Sequence, residues 1–236
     1  MLKQVPGLPA LVRAVRARFD PVQRSLKSLG PGDAARLLQP SNVTREDRWP
    51  AFFSFIQSAL AGVEHPRILS FGCATGEEVF TLRRYFPHAE LVGIDINPHN
   101  ISQCQAKLRA QPDADIQFKR AACADEEPAA SFDAIFCMAV LRHGALGEVL
   151  PDRCDAYVRF DDIDALVAGL ARSLKRGGYL AIWSSHFRFA DMSVAAEFDV
   201  VLQMPSGAHF NTPLYGPDNR RLLGGSPYCE AIFRKR

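Results

Sequence analysis

From Arg67 onward, short apolar runs alternate with longer stretches in which apolar positions recur every three or four residues. That is the rhythm of parallel strands covered on both faces by helices. The pattern places strands at 67–71, 91–96, 116–118, 133–138 and 179–183. Asn97-Pro98 supplies an N-cap followed by proline at the first helical position, with Ile101, Cys104 and Leu108 as the buried stripe. Asp161 or Asp162 is the expected cap of a helix carrying Ile163, Leu166, Leu170 and Leu174, and Gly177-Gly178 its expected end. Two later strand-like runs, 198–204 and 228–233, are separated by a Gly/Pro/Asn-rich stretch and suit a closing antiparallel pair.

The N-terminal part reads as helical. Residues 11–26 form a basic amphipathic helix that Gly30-Pro31-Gly32 stops, and a short helix over 34–38 follows. Pro50 opens another, whose apolar face is Phe53, Ile56, Leu60 and Val63, and Pro66 ends it. The expectation is an α/β fold, a seven-stranded, mainly parallel, Rossmann-like sheet (66–236) preceded by a helical cap (1–65). The stretch 144–160 lacks a clear period and is long for a connection, so it reads equally as an active-site lid or as a surface loop with a helical turn.

Composition narrows the classes. In 236 residues, 47% are hydrophobic and 23% charged, enough apolar material for a sizeable core and unlike a disordered chain. The net charge of +2 argues against a dedicated nucleic-acid binder. Residues 1–30 nonetheless hold six basic groups against Asp20 alone, which makes the first helix a candidate for weak contact with a partner or an anionic membrane surface. No run approaches the ~20 apolar residues of a transmembrane helix, and no leader pattern is visible, so the expected location is cytoplasmic. The six cysteines are dispersed, without C-x-x-C pairs or histidine at metal-ligand spacing, and read as free, mostly buried thiols with no metal site.

The chemistry concentrates after the first strand, in Ser70-Phe71-Gly72-Cys73-Ala74-Thr75-Gly76-Glu77-Glu78. A strand runs through a small-residue loop into a helix, which lets backbone pass close beneath a nucleotide-like ligand. Asp95 closes the second strand about 20 residues on, where a carboxylate accepts hydrogen bonds from ribose hydroxyls. A dinucleotide fingerprint would need glycine at 74 and 77, where Ala74 and Glu77 stand, and a carboxylate there repels pyrophosphate. S-adenosyl-L-methionine brings a ribose, a sulfonium and an ammonium without phosphate, so acidic neighbours favour it.

These residues resemble the class I S-adenosylmethionine-dependent methyltransferases, with alanine in place of the middle glycine of the first motif. Cys73-Ala74-Thr75-Gly76-Glu77-Glu78 is most similar to the chemotaxis receptor glutamate carboxyl methyltransferases. Asn42, Thr44 and Arg48 keep the spacing of that family's N-x-T-x-F-F-R stretch, with Glu46-Asp47 replacing its two aromatics. The fourth strand, Ile135-Phe136-Cys137-Met138-Ala139-Val140-Leu141-Arg142-His143, follows the family's I-F-C-R-N-V-x-I-Y but loses its Arg-Asn pair and has His143 for tyrosine. The family's receptor-docking β-subdomain is missing, since strands two to four leave no room for it, and so is the acidic residue after strand three, where Ala122-Cys123 stands.

The resemblance implies a cofactor site of Asn42, Thr44, Arg48, Ser70, Gly72, Cys73, Ala74, Gly76, Glu77, Asp95, Ile96, Ala122, Cys123, Cys137 and Met138, with Glu77 on the methionine ammonium. Arg48 and His143 are the candidates for catalysis, Arg48 orienting a carboxylate acceptor and His143 taking a hydroxyl proton. Trp183 to His186 and a wall of Asp152, Arg153, Tyr157, Phe187 and Arg188 are expected to face the acceptor. The expected activity is O-methylation of a small polar metabolite or a carboxylate. The alternatives are a cofactor-binding regulator without methyl transfer and a protein glutamate carboxyl methyltransferase.

Overall fold

The computed structural model describes residues 20–205, 212–224 and 228–236. Seven strands form one sheet: β1 (Arg67–Phe71), β2 (Glu90–Asp95), β3 (Ile116–Arg120), β4 (Phe132–Met138), β5 (Leu174–Trp183), β6 (Phe198–Gln203) and β7 (Glu230–Lys235). Their order is β3-β2-β1-β4-β5-β7-β6, with β1 to β5 parallel and β7 antiparallel to both neighbours. The chain winds outward from β1 to β3 and returns to place β4 on the other side of β1. The order therefore reverses between β1 and β4, and open α/β sheets bind ligands in the crevice at such a point, beyond the strands' carboxyl ends.

Successive strand residues serve opposite faces. Leu69, Phe71, Val92, Ile94, Ile135 and Ile182 pack into one core with Ile163, Val167 and Leu170 of the helix Phe160–Ser173. Ile68, Leu91, Ala134, Phe136 and Trp183 pack into the other with Phe52, Phe53 and Ile56 of Pro50–Ala59, and with Val79 and Leu82 of Glu77–Tyr85. Both faces being covered is why these strands read as near-continuous apolar runs. Because Pro50–Ala59 is built into the sheet's own core, residues 20–65 share the hydrophobic cores of the α/β domain rather than forming one of their own.

The helices, numbered in chain order, are α1 (Pro21–Lys27), α2 (Pro31–Ala35), α3 (Pro50–Ala59), α4 (Glu77–Tyr85), α5 (Pro98–Ala110), α6 (Leu146–Val149) and α7 (Phe160–Ser173). Several expected boundaries move. The first helix ends at Lys27, and the part expected before Asp20 lies outside the described residues. Pro31 opens a helix instead of closing one, so α2 precedes the 34–38 expected for it, because proline fits the first helical position. Val63 lies beyond the end of α3 and is exposed. Asn97 caps α5 as expected, accepting from the His99 amide at 2.9 Å.

Neither Asp161 nor Asp162 caps α7; both sit in its first turn, where they complement the helix dipole. The Phe160 amide instead donates to Asn219 Oδ1 at 2.7 Å, a cap delivered from far along the chain. Gly177-Gly178 does not end α7 either. The helix stops at Ser173, and the glycines lie within β5, where the register to β4 jumps between Phe132 and Ala134 and Gly177 takes φ +77°. The stretch 144–160 is a packed wall. Leu146, Cys154 and Val158 are buried, and Cys154 N and Arg221 N bond across to Asn219 O and Asp152 O. Among the described residues no helix is long and apolar enough to cross a membrane.

Replacing Asn219 with glycine removes the remote cap while keeping its left-handed backbone (φ +62°) accessible. The variant is expected to lose about 1–2 kcal/mol of stability, read as a lower urea midpoint at unchanged slope.

Candidate functional site

Physical strain marks the carboxyl edge of the sheet. After β1, Gly72 takes φ +72°, Ala74 +49° and Gly76 +93°; after β4, Ala139 takes +60°; after β5, Ser184 takes +60°. Non-glycine residues in this region cost about 1–3 kcal/mol and persist where the surroundings impose them, commonly at functional sites. Here they turn the backbone sharply off the strand ends, and an open cavity of about 1020 Å³, solvent-exposed space included, lies against them.

Asp95 organises the cavity's base. Its carboxylate is buried and accepts from Ala74 N (2.9 Å), Asn97 N (2.8 Å) and Asn100 Nδ2 (3.0 Å). Burial raises its pKa, and the three hydrogen bonds act against that rise. Asn100 in turn exchanges two hydrogen bonds with Asn42, at 2.9 and 3.1 Å, so the cap segment is fastened to the same carboxylate. Near α5, Asn97 Nδ2 reaches Val22 O and His99 N reaches Ser25 Oγ, which docks α1 beside the cavity.

Glu78, in the first turn of α4, reaches back to the carboxyl end of β1. It accepts from Ser70 Oγ at 2.8 Å, and burial pushes its pKa up to about 7 against the opposing pull of that hydrogen bond and of Arg48. Arg48 Nη1 donates to Val43 O at 2.6 Å, and its guanidinium lies 4.6 Å from the Trp49 ring centre. Glu46 and Asp47, which replace two aromatics in the resemblance, fasten the cap to α4: Glu46 pairs with Arg84, and Asp47 bonds Thr81 and Tyr85.

Of the expected residues, Asn42, Thr44, Arg48, Gly72, Cys73, Ala74, Asp95, Ile96, Ala122 and Met138 line the cavity. Ser70 stands behind it as the partner of Glu78. Gly76 is the left-handed N-cap of α4, packed against Cys104 and Phe80. Glu77 points elsewhere: it pairs with Lys107 at 2.5 Å and accepts from Thr75 Oγ1. Burial pushes its pKa up, but Lys107, Thr75 and its own amide together hold it below the usual range. Cys137 is buried within β4, and Cys123 faces a neighbouring pocket, donating to Asp125.

His143 is not part of the cavity wall. Its ring packs 5.2 Å from that of Tyr157, and Nδ1 accepts from Ala145 N at 3.3 Å. Burial lowers its pKa. Ser184, Ser185 and His186 are buried behind the edge, with His186 held between the Pro213 and His143 carbonyls. The expected acceptor wall does not form at this cavity. Asp152, Arg153 and Arg188 are occupied by Arg221, Asp155 and Asp191, and Phe187 is buried.

Two functional candidates escaped the sequence reading. Glu78 was passed over for its neighbour, although only the helix phase after Gly76 separates them. Asn100 lies on the α5 face turned to Asp95, three residues after a cap that was legible.

Comparison with known proteins comes to the same region. Residues 69–180, from β1 to β5 and just under half of the chain, match the family model described as "Methyltransferase domain". An uncharacterised protein of Synechococcus sp. is 30% identical over 140 residues, which cover 58% of this chain and 30% of that protein. A malonyl-[acyl-carrier protein] O-methyltransferase of Paenibacillus sp. is 33% identical over 73 residues, covering 30% of this chain and 26% of that enzyme. The similarity thus spans less than a third of either relative. Among solved structures, the YcgJ protein of Bacillus subtilis superposes with a TM-score of 0.46 at 12% identity, covering 78% of this chain and 96% of that one.

Gly72 carries a direct prediction. A side chain there would be strained at φ +72° and would run into Val140. Gly72→Ala is expected to destabilise by about 1–3 kcal/mol and to weaken adenosyl-ligand binding at least tenfold, read by thermal melting and calorimetry.

Proposed function

We propose that the chain is an S-adenosyl-L-methionine-dependent methyltransferase. The observation that carries this reading is the cavity at the point of strand reversal, where the strained loop after β1 is hydrogen-bonded to Asp95 and Glu78 stands on the β4 side. When bound, the cofactor supplies a methyl group already activated by a sulfonium charge. The protein's task is therefore positioning rather than elaborate acid–base work.

The residues fit that cofactor. Asp95 is engaged by three donors and, with two oxygens and about four lone-pair positions, can still accept from a ribose hydroxyl. Ile96, Ala121, Ala122 and Leu166 offer an apolar surface to a planar ring. Glu78 is the carboxylate for the methionine ammonium, in place of Glu77, which Lys107 already engages. The backbone around Gly72 and Ala74 passes under the ligand without side-chain bulk, and the cap residues Asn42, Thr44 and Arg48 cover it.

The acceptor is a small polar metabolite or a carboxylate, methylated on oxygen. The malonyl-[acyl-carrier protein] O-methyltransferase named above is a relative whose printed activity agrees with oxygen as the methylated atom. Arg48 orients the acceptor or the cofactor carboxylate, and a carboxylate nucleophile needs no base. Protein glutamate carboxyl methylation is the second reading. It is favoured by the presence of Asn42, Thr44 and Arg48, the residues of the chemotaxis-methyltransferase resemblance, together in the cavity wall.

The test is calorimetric titration with S-adenosylmethionine, S-adenosylhomocysteine and NAD. Micromolar binding of the adenosyl ligands without NAD supports the proposal; no adenosyl binding overturns it. Binding without turnover over a broad acceptor panel would favour a regulator instead.

Glu78 gives a prediction with two opposite signs. Its folded pKa of about 7 lies above the 4.5 usual for a glutamate, so the folded protein holds this proton more tightly than the unfolded chain. Its ionisation therefore costs stability progressively as pH rises from about 4.5 through about 7. Glu78→Gln is expected to stabilise the ligand-free protein at pH 8 by about 1–2 kcal/mol, discounted because the side chain meets water in the cavity. The same variant is expected to bind S-adenosylhomocysteine about tenfold more weakly. In the wild type that affinity rises between pH 6 and 8, and thermal melts and calorimetry at both pH values check each sign.

A further inference from the structure

Ahead of α3, the cap has almost no core of its own. Among residues 20–48 only Leu38 is buried, and neither α1 nor α2 buries a residue. Val22 and Leu26, one helical turn apart on α1, line the cavity together with Leu37, so their apolar surface looks onto open space. What fastens residues 20–42 to the domain is mainly polar. Asn97 Nδ2 reaches Val22 O at 3.4 Å, His99 N donates to Ser25 Oγ at 3.1 Å, Arg120 pairs with Asp33, Arg36 Nη1 lies 3.4 Å from Cys123 Sγ, and Asn100 binds Asn42. Three of these five links come from the start of α5.

The Asn100 link differs from the other four. Asn100 is buried, and it alone of these contacts also touches the carboxylate at the base of the cavity. An ionised carboxylate only accepts, so the Asn100 atom facing Asp95 Oδ1 at 3.0 Å has to be the amide nitrogen. Its second N–H donates to Asn42 Oδ1 at 3.1 Å, and Asn100 Oδ1 accepts from Asn42 Nδ2 at 2.9 Å. Both donors of Asn100 are thereby spent. Turning its amide over would set oxygen against oxygen at Asp95 and spoil both bonds to Asn42. The sense of the amide pair is therefore fixed by the carboxylate and handed on to the cap.

We propose that Asn100 is a positioning residue that couples the ribose carboxylate to the cap, so that the ligand engaging Asp95 is also the one over which residues 20–42 close. The inference deepens the cofactor proposal and rests on it. A ligand in the cavity covers the apolar surface of Val22, Leu26 and Leu37, which the protein alone leaves open, and so supplies the packing that the cap lacks. The polar latch at Asn42 holds the cap in register while this happens. Coupling of this kind is reciprocal: a cap that tightens ligand binding is itself tightened by the ligand to the same degree.

The experiment is hydrogen exchange read peptide by peptide in the wild type, Asn100→Ala, Asn42→Ala and the double variant, each with and without S-adenosylhomocysteine, alongside calorimetric titration of the same proteins. Expected in the wild type is exchange over 20–42 slowed about tenfold by the ligand, with α3 changed far less because it is built into the core. In Asn100→Ala that slowing is lost and S-adenosylhomocysteine binds about tenfold more weakly, while exchange in α3 and in β1 to β5 stays as in the wild type. Asn42→Ala gives the same pattern, and the double variant is no worse than either single one, because the same link is cut twice. Should Asn100→Ala fail to melt cooperatively, Asn42→Ala decides alone, and a cap still slowed by the ligand there overturns the coupling. Weaker binding by Asn100→Ala with the cap slowing intact shows that Asn100 serves the ligand directly and also overturns it, as do additive losses in the double variant. Exchange over 20–42 that a bound ligand leaves unchanged in the wild type overturns this inference alone, whereas failure of S-adenosylhomocysteine to bind the wild type removes the cofactor reading and this inference with it.

Discussion

The site depends on one buried carboxylate. Asp95 sits at the end of β2, yet its hydrogen bonds reach the loop after β1 through Ala74, the start of α5 through Asn97, and the cap through Asn100 and Asn42. A buried charge without such partners would be costly, so the three donors come to this point together or the carboxylate takes up a proton. That requirement makes the loop conformation a consequence of the carboxylate. Ala74 is held at φ +49° with its amide aimed at Asp95, a conformation alanine rarely takes unaided.

The sheet sets this arrangement up. Strand order reverses between β1 and β4, so the loops after these two strands diverge and leave a crevice that no crossover helix fills. Gly72 keeps the crevice narrow at its base, because Val140 from the loop after β4 occupies the space a side chain would need. The N-terminal segment then closes the top from α1 to Trp49. It is anchored at both ends of the crevice, by Asn42 on Asn100 and by Asp47 and Glu46 on α4. A ligand held between these anchors would touch the sheet and the cap at once.

Much of this was legible before the structure. The strand starting at Arg67 and the antiparallel pairing of the last two strands followed from apolar runs and turn residues, signals that are local. Asp95 was legible because its distance from the glycine loop is fixed by one strand-helix-strand unit. What failed depended on partners remote in sequence. Asn219 caps α7 from 59 positions away, so the local acids looked sufficient. Glu77 and Glu78 differ only in helical phase, and which one turns inward is settled by Ser70 under one and Lys107 beside the other. His143 drew attention as a titratable group at a strand end, but the tight turn at 140–142 leaves it against Tyr157.

Charge explains why those two acids differ. Glu77 faces Lys107 and stays ionised, a closed pair that supports α4 and α5. Glu78 faces the crevice with only Ser70 and the field of Arg48, and holds its proton toward neutrality. One carboxylate is thus already satisfied by the fold and the other is not, and groups left unsatisfied at a cost to stability are where a fold can store binding energy. The same closure is seen at Arg83, which is fully engaged by Asp113 and three carbonyls. Glu78, held by one hydroxyl and facing open space, is the group whose protonation a bound cation would change most.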